Sequence, residues 1–560
     1  MNKPFYLSAA VLSVLAACSQ AAPSTPDVPA AGARVEQASP GTRPPAQIVA
    51  SFDGLGDGFA GPEGAFTGRN PSDNTLAVGP DHVFQIVNVQ MAIFTKTGKP
   101  LYGPVPTNTL FKGFGGACES DDNGDAVVRY DQLANRWLVV MPIFREMKRR
   151  PDQPPIWTAS NHTYLSPPGV KDQPGPAVKL FVPPLAAPLT PGVSPGSSSR
   201  PTRPFPRGFR PPPPAPEDLG PWAMCYAVST SPNPFGTWYR YEFLRPLFPD
   251  YPRPAVWPDG WYVPSSTGDT VIQKHTCVAD RARMLEGKPA TEQCFVVDNV
   301  SFLNNADLDG TALPPAGAPN VVLAAGGTQL RGVFSDDGIY AWQFHVDWAD
   351  PVKSTLSGPA KIDVAPYHFL CDGQLTSCVR QPGTDRHLDA QGDKLMARLV
   401  YRNVKGAEEL VVTHSAEGSG RQGGVRWYEF TITPDRSVHL AQQGTYTPDG
   451  FDRWMASAAI DKNGNIGVGY SYGGNGAFAG QRFAARLASD PSGELSLQEA
   501  VLANGEGSQT NTLRWEDYTQ TAVDPSDDCT IWYVGDYYKK GSENYATRIG
   551  AFRMPGCADR

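Results

Sequence analysis

The sequence predicts an all-β chain folded as a β-propeller of seven blades, and three observations predict it. Gly and Pro each occur 56 times in 560 residues, enough to supply many turns. Long segments with a 3.6-residue apolar period are almost absent, so short strands dominate. A short unit also recurs along the chain, consisting of a small-apolar pair, a turn with Asp or Asn, and an aromatic or β-branched strand. Self-similarity of this kind marks a repeat architecture, and radial repetition removes the long exposed edges of an open sheet. The competing architecture is a pair of β-sandwich domains.

The N-terminus is not part of that domain. Lys3 is followed by an apolar run from Phe5 to Ala17 that closes on Leu15-Ala16-Ala17-Cys18, so residues 1–17 read as a signal peptide too short for a permanent span. Leu-Ala-Ala-Cys resembles the bacterial lipobox, which implies a lipid on Cys18 and a membrane partner through that lipid. Ser19 in place of Asp implies, by the same resemblance, the outer membrane or cell surface. Residues 18–48, rich in Ala, Pro, Ser and Thr, hold too few large apolar side chains to offset the entropy of ordering, and read as a disordered tether. No later stretch is apolar enough to cross a bilayer as a helix.

The domain proper is expected over 49–560. Cys18 apart, eight cysteines remain, an even number suited to an oxidising compartment. Sequence proximity favours Cys277 with Cys294, Cys371 with Cys378 and Cys529 with Cys557, which leaves Cys118 with Cys225.

The repeat units follow in order. The first runs from Ala77-Val78 through Asp81 to Val83–Val87, the third from Ala255-Val256 through Asp259 to Trp261–Val263. Others run from Ala459-Ile460 through Asp461 to Ile466–Tyr470, and from Ala522-Val523 through Asp524 to Ile531–Val534. Looser copies are Tyr130-Asp131 to Val140 and Leu388-Asp389 to Tyr401, and Asn320 to Trp348 supplies a seventh. A second element repeats as Tyr340–Val346 and Arg426–Ile432. Seven units over about 430 residues give about 60 each, somewhat more than compact propeller repeats. One segment, 145–221, breaks the pattern. It is Pro-rich with little strand signal, and from Arg145 to Arg210 it carries ten Lys or Arg against three Asp or Glu, net +7 in a chain of net −8. It reads as a basic insertion inside a hairpin, able to meet an anionic polymer or an envelope protein, or simply solvated.

Candidate sites are few. Asp121–Asp125 and Asp461–Asn465 have the oxygen-rich spacing of a calcium loop, but Ala126 and Ile466 stand where the EF-hand wants Gly, and Gln132 and Tyr472 where it wants Glu. Tight turns explain both, so structural calcium is the only cofactor that remains open, and no cofactor-binding or metal residues are assigned. His368, Cys371, Cys378 and His387 fit no zinc module, and the close cysteine pair favours a disulfide. The zinc-protease motif and the phosphate loop are absent, and eight scattered histidines build no triad. With pI near 5.6 and no basic stripe in the folded part, a nucleic-acid partner is excluded. Twelve Trp could stack on sugars, but packing between blades accounts for them more simply.

Ser231-Pro232-Asn233-Pro234-Phe235-Gly236-Thr237-Trp238 resembles a degenerate Asp-box, the hairpin of sialidase-type propellers, with Asn233 for Asp and the Gly displaced by one. Ala227-Val228-Ser229 ahead of it is similar to a hairpin of five-bladed glycosidases. Arg386–Asp393, Gln443–Tyr446 and the run from Arg514-Trp515 to Asp524-Pro525 resemble uncharacterised secreted bacterial propeller lipoproteins over about three quarters of the chain. The resemblance implies fold and export without chemistry. Two functions follow as expectations: a lipid-anchored binding or scaffold propeller at the envelope, or a glycan-active hydrolase or lyase on the same fold. The second needs paired carboxylates facing one cleft, for which Asp73, Asp81, Asp389 and Asp393 are the places to look.

Overall fold

In the computed structural model the described residues are 35–144, 163–165, 178–179, 222–245, 247–266, 273–330, 332–373 and 377–557. The stretch expected as a signal peptide, Cys18 and most of the expected insertion lie outside them. Within them the chain is almost entirely strand, and consecutive strands pair as antiparallel meanders of four. Blade 1 is Thr75–Val78, His82–Val87, Gln90–Thr95 and Pro100–Pro106; blade 2 is Val127–Asp131, Arg136–Ile143, Trp222–Ser229 and Thr237–Arg245. Blade 3 is Ala255–Trp257, Gly260–Tyr262, Gln273–Ala279 and Glu292–Asp298; blade 4 is Asn304–Leu308, Asn320–Ala325, Gly338–His345 and Thr355–Asp363. Blade 5 is Leu399–Val404, Ala407–Glu417, Gly423–Ile432 and Val438–Tyr446, and blade 6 is Asp452–Ile460, Ile466–Gly474, Ala477–Arg486 and Leu497–Ala503. Blade 7 joins Gln520–Val523, Ile531–Tyr537 and Ala546–Arg553 to an N-terminal strand, Gln47–Gly56.

The first strand of each blade touches the first strand of the next, and that of blade 7 touches that of blade 1, which closes a ring and makes the molecule a propeller. Pairing of Gln47–Gly56 with Ala546–Arg553 clasps the two ends of the chain inside one sheet. A ring that leaves only short outer edges explains why so many short strands are stable together.

Aromatic side chains fill the space between blades. Trp137, Trp238, Trp257, Trp261, Trp427, Trp454 and Trp515 are fully buried, and Phe483 of blade 6 stacks on Phe552 of blade 7 at 4.0 Å. Core packing is therefore what most of the tryptophans do. Close approach also needs small residues: a Cβ on Gly469 would stand 2.4 Å from the Tyr533 ring across the blade 6–blade 7 interface.

All four expected disulfides form. Cys118–Cys225 ties the loop entering blade 2 to its third strand, Cys277–Cys294 joins paired strands of blade 3, Cys371–Cys378 closes a loop between blades 4 and 5, and Cys529–Cys557 pins the C-terminus to blade 7.

Three sequence readings shift. The stretch expected as a tether is docked from Glu36: Glu36–Gln37 pairs in parallel with Thr445-Tyr446, and Arg43 bridges to Leu497. Backbone pairing to edge strands and the Glu36 bonds to Ser419 and Thr447 supply the anchoring that apolar side chains do not. The insertion does interrupt the blade 2 hairpin, but Thr163–Leu165 and Val178–Lys179 add a fifth strand to blades 3 and 2, where an outer strand edge offers unpaired backbone groups. Leu388-Asp389 does not open a repeat: it ends a small hairpin in the long loop before blade 5, whose own hairpin is Leu399–Glu417.

Candidate functional site

Each blade's first strand is entered from the same face, because the entry loops bond to one another. Asp73 N donates to Glu516 O at 2.8 Å, Tyr251 Oη to Asp517 O at 2.6 Å, Asn304 Nδ2 to Leu395 O at 3.2 Å, and Asp389 N to Leu513 O at 2.9 Å. A residue two to ten places before a first strand is therefore delivered to the mouth of the central channel. Polar residues at that position in the repeat converge there whatever their separation in sequence.

The exposed element of the mouth is Arg514, whose side chain is 43% exposed. Its Nε donates to Asp389 Oδ2 at 2.9 Å, and Nη2 bonds both oxygens of Asp517. Asp389 also accepts from Trp515 N at 2.8 Å, and Asp517 from Gln391 Nε2 at 3.0 Å. Two carboxyl groups on one guanidinium leave an excess of negative charge. Burial, then the Asp517 charge, push Asp389 up to about 8 against the pull of Arg514. Beside them Lys394 pairs with Asp393 at 2.7 Å and lies 4.1 Å over the Phe302 ring, while Arg253 stacks at 4.5 Å on Tyr251.

Behind Arg514 a row of carboxyls crosses three blades. Asp73, 2% exposed and at φ +46°, accepts from Asn88 Nδ2 at 2.5 Å. Asp125 is buried beside Asp73 and Asp250. Burial first, then the neighbouring carboxyls, hold both Asp73 and Asp125 well above the ordinary range. A second buried pair lies deeper in blade 7: Glu516 takes bonds from Ser471 Oγ at 2.7 Å, Gln481 Nε2 at 2.9 Å and Asp536 N, and burial with the Asp536 charge raises it well above normal.

Further down, the channel is plugged by ion pairs. Arg398 binds Asp307 at 2.7 Å and Asp309 at 3.0 Å, and Arg129 pairs with Asp307. A cavity of about 20 Å³ remains among Arg129, Arg253, Asn305, Arg398, Tyr518 and Gln520. That is room for about one water.

Three of the four acidic residues singled out in the sequence, Asp73, Asp389 and Asp393, meet at this mouth. Asp81 does not. It flanks the same strand as Asp73 but at the other end, where its turn meets blade 7 through Ser526 Oγ to Pro80 O at 3.0 Å. A strand opens on opposite faces at its two ends, so Asp73 and Asp81 cannot share one mouth. Sequence reasoning missed Asp250, Arg253, Lys394 and Asp517 as residues of the mouth, and met Asp125 only as part of a turn. Their shared signal was position in the repeat, just upstream of a first strand.

The other readings resolve as turns and staples. Asp461 accepts from Asn463 N at 2.8 Å, Asn465 N at 3.0 Å and Asn465 Nδ2 at 2.8 Å, which spends its oxygens inside its own turn. In Asp121–Asp125 only Asp125 turns inward, while Asp121 sits at the surface. Cys371 and Cys378 are bonded to each other, and His368 lies instead by Asp372 and Glu417 at 3.5 and 3.4 Å on the surface. The Asp-box-like run forms the turn between strands three and four of blade 2, with Phe235 N donating to Asn233 Oδ1 at 3.0 Å and Trp238 Nε1 to Pro234 O at 3.1 Å. The motif reading passed over a Gly-Xaa-Ser-Xaa-Gly spacing of serine hydrolases at Gly469–Gly473, but Ser471 is buried mid-strand and bonded to Glu516, Gln481 and Trp515. The spacing needs an exposed strand-to-helix elbow to act as a nucleophile, and here it has none.

Comparison with known protein families and with curated proteins finds no match. Among solved structures, a polysaccharide lyase of the PL25 ulvan lyase family bound to -[GlcA(1-4)Rha3S]- is similar at 10% identity and TM-score 0.35, over 92% of this chain and 94% of that one. The NanB complex with Optactamide is similar at 10% identity and TM-score 0.35, over 76% and 67%. A mutant Trypanosoma rangeli sialidase displaying trans-sialidase activity is similar at 8% and 0.29, over 80% and 60%. None reaches a TM-score of 0.5, so the propeller rests on the closed ring of sheets itself.

Proposed function

We propose that the chain is a glycan-active enzyme, a hydrolase or lyase, with the Arg514 mouth as its site. One observation carries the reading: carboxyl groups from separate blades converge on a guanidinium that is partly open to solvent. Arg514 can present its remaining N–H groups to a carboxylate or hydroxyl of a sugar. Asp393 and Asp517, with side chains 13% and 10% exposed, are placed to touch it. Asp389 behind them, raised to about 8, keeps a proton at neutral pH. A carboxyl group that keeps its proton at neutral pH is what a general acid for cleavage of a glycosidic bond requires. The test is reducing-end and unsaturated-uronate release by the mature domain across bacterial and plant polysaccharides. Release is expected from wild type and a loss of about 10²-fold or more from Arg514→Ala. No release from any polymer by folded protein refutes the reading.

A second reading, a non-catalytic binding or scaffold propeller, draws on a different observation. Asp393 and Asp517 at the mouth are each paired with a cation already, Asp389 is taken up by Arg514 and Trp515 N, and the cavity below falls far short of the roughly 300 Å³ of a ligand pocket. It predicts glycan or envelope-protein capture without turnover. Either activity belongs, on this reading, at the bacterial envelope with Cys18 lipidated, and the four disulfides support an oxidising compartment. Cys18→Ala should leave the precursor unprocessed; normal cleavage and release of that variant would contradict the anchor.

A further inference from the structure

We propose that His368, Asp372 and Glu417 form a zinc site that ties the loop between blades 4 and 5 to the second strand of blade 5. This does not depend on the glycan reading.

The chain itself brings the three side chains together. Phe369 bridges antiparallel to Ala416, and Glu417 N donates to His368 O at 2.8 Å, so this short ladder sets His368 against Glu417. The Phe369 ring is fully buried, 5.0 Å from Tyr367 and 4.9 Å from His414, and anchors the loop. Cys371 and Asp372 both take left-handed backbone, at φ +60° and +56°, which curls the chain so that Asp372 returns to His368. The Cys371–Cys378 disulfide closes the loop beside that curl.

The spacing is that of ligands around one ion. Asp372 Oδ1 lies 3.5 Å from His368 Nε2, and Glu417 Oε2 lies 3.4 Å from Nδ1. One ring nitrogen and one oxygen of each carboxylate fall within 4.8 Å of one another. Ligands at about 2.0–2.2 Å from a tetrahedral zinc stand about 3.3–3.6 Å apart, so small side-chain rotations complete the set.

A separate observation assigns the nitrogen. His368 Nδ1 is 3.1 Å from Phe369 O. A carbonyl oxygen only accepts, so Nδ1 carries the ring proton, and a ring N–H held by a backbone carbonyl is the usual support of a metal-binding histidine. In the neutral ring Nε2 is then a lone pair beside the Asp372 carboxylate. Two acceptors so placed repel unless a proton or a cation lies between them. Among the described ion pairs, the guanidinium that meets this set is Arg421, 3.8 Å from Glu417 Oε1 and 78% exposed. An ion pair that long and that solvated offsets little of the charge.

The donor set selects the ion. Calcium and magnesium prefer oxygen alone, whereas zinc takes imidazole together with carboxylates. Cys371 and Cys378 are bonded to each other and offer no thiolate to a softer metal. Two carboxylates balance the charge of a divalent ion, and three protein ligands leave a fourth position to water.

The test uses the whole mature chain without a histidine tag, stripped with EDTA and freed of chelator. Zinc titrated against a chromophoric chelator should bind at about one ion per chain. Cobalt(II), as the spectroscopic probe, should give visible d–d bands that zinc abolishes. His368→Gln, Asp372→Asn and Glu417→Gln should each weaken zinc binding by about tenfold or more, since removing even an outer-sphere partner costs that much. His439→Gln, on the exposed outer strand of blade 5, should leave binding unchanged. Thermal melts in EDTA verify that each variant is folded, and a variant that is not is replaced by His368→Ala. Wild-type protein that binds no stoichiometric zinc overturns the site in favour of a protonated His368 between two carboxylates. Zinc binding untouched by Asp372→Asn and Glu417→Gln, or calcium binding in place of zinc, overturns it as well.

Discussion

Removing one charge from the buried pair between blades 2 and 3 gives the clearest energetic forecast. Arg245 and Glu292 have fully buried side chains. Arg245 Nε donates to Glu292 Oε2 at 2.9 Å and Nη2 to Oε1 at 2.6 Å, with further bonds to Tyr226 Oη at 3.0 Å and Val263 O at 3.0 Å. Tyr226 Oη also donates to Glu292 Oε1 at 2.5 Å, so the carboxylate has several partners but one cation. Arg245→Met strands Glu292 as an uncompensated buried charge, at a cost of about 3–5 kcal/mol. Spread over the unfolding entropy of about 440 described residues, that lowers Tm by about 3–5 °C. Arg245→Met combined with Glu292→Leu removes both charges and should recover most of the loss, since a buried pair is worth little more than its apolar replacement. Thermal and urea unfolding of wild type, both single variants and the double variant supply the cycle. If the double variant is as unstable as the sum of the singles, the two residues do not act as a pair and the reasoning fails.

The remaining predictions concern pH and closure. Asp389 and Glu516 are raised in the folded state, so the native chain holds protons that the unfolded chain releases above about pH 4. For Asp389 stability should therefore fall between about pH 4 and pH 8, by up to about 1.4 kcal/mol per pH unit, with Glu516 acting in the same direction, and a Tm that climbs over that window would contradict it. Replacing Cys529 and Cys557 by Ser opens a 28-residue loop at the clasped blade and should cost about 3–4 kcal/mol, measured as a drop in urea midpoint. Truncation through Gly56 removes the strand paired with Ala546–Arg553 and should abolish cooperative unfolding. A truncated chain that melts like wild type would show that the ring closes without its clasp. Gly469→Ala should destabilise the chain by about 1–3 kcal/mol, because its methyl would meet the Tyr533 ring, and unchanged melting would show that the interface yields freely.

Most of the fold was legible because its causes are local. The Ala77–Val87 and Ala459–Tyr470 units became inner hairpins since the turn residues and the strand residues sit side by side in sequence. Tyr340 and Trp427 fell on third strands for the same reason. The disulfides followed sequence proximity, because three of the four cysteine pairs close short loops.

What the sequence by itself determined was therefore the strand grammar, the pairing of neighbouring cysteines and the buried role of the tryptophans. The tertiary structure alone decided which acidic residues meet. Asp73, Asp125, Asp250, Asp389 and Asp517 are spread along most of the chain, and ring closure brings them to one mouth while sending Asp81 to the other. Whether a loop opens on one face or the other depends on which strand end it leaves, and that is set by blade register rather than by any residue's neighbours. The clasp of Gln47–Gly56 on blade 7 and the docking of Glu36 on blade 5 are likewise backbone pairings, which side-chain patterns in a Pro- and Ala-rich stretch do not encode.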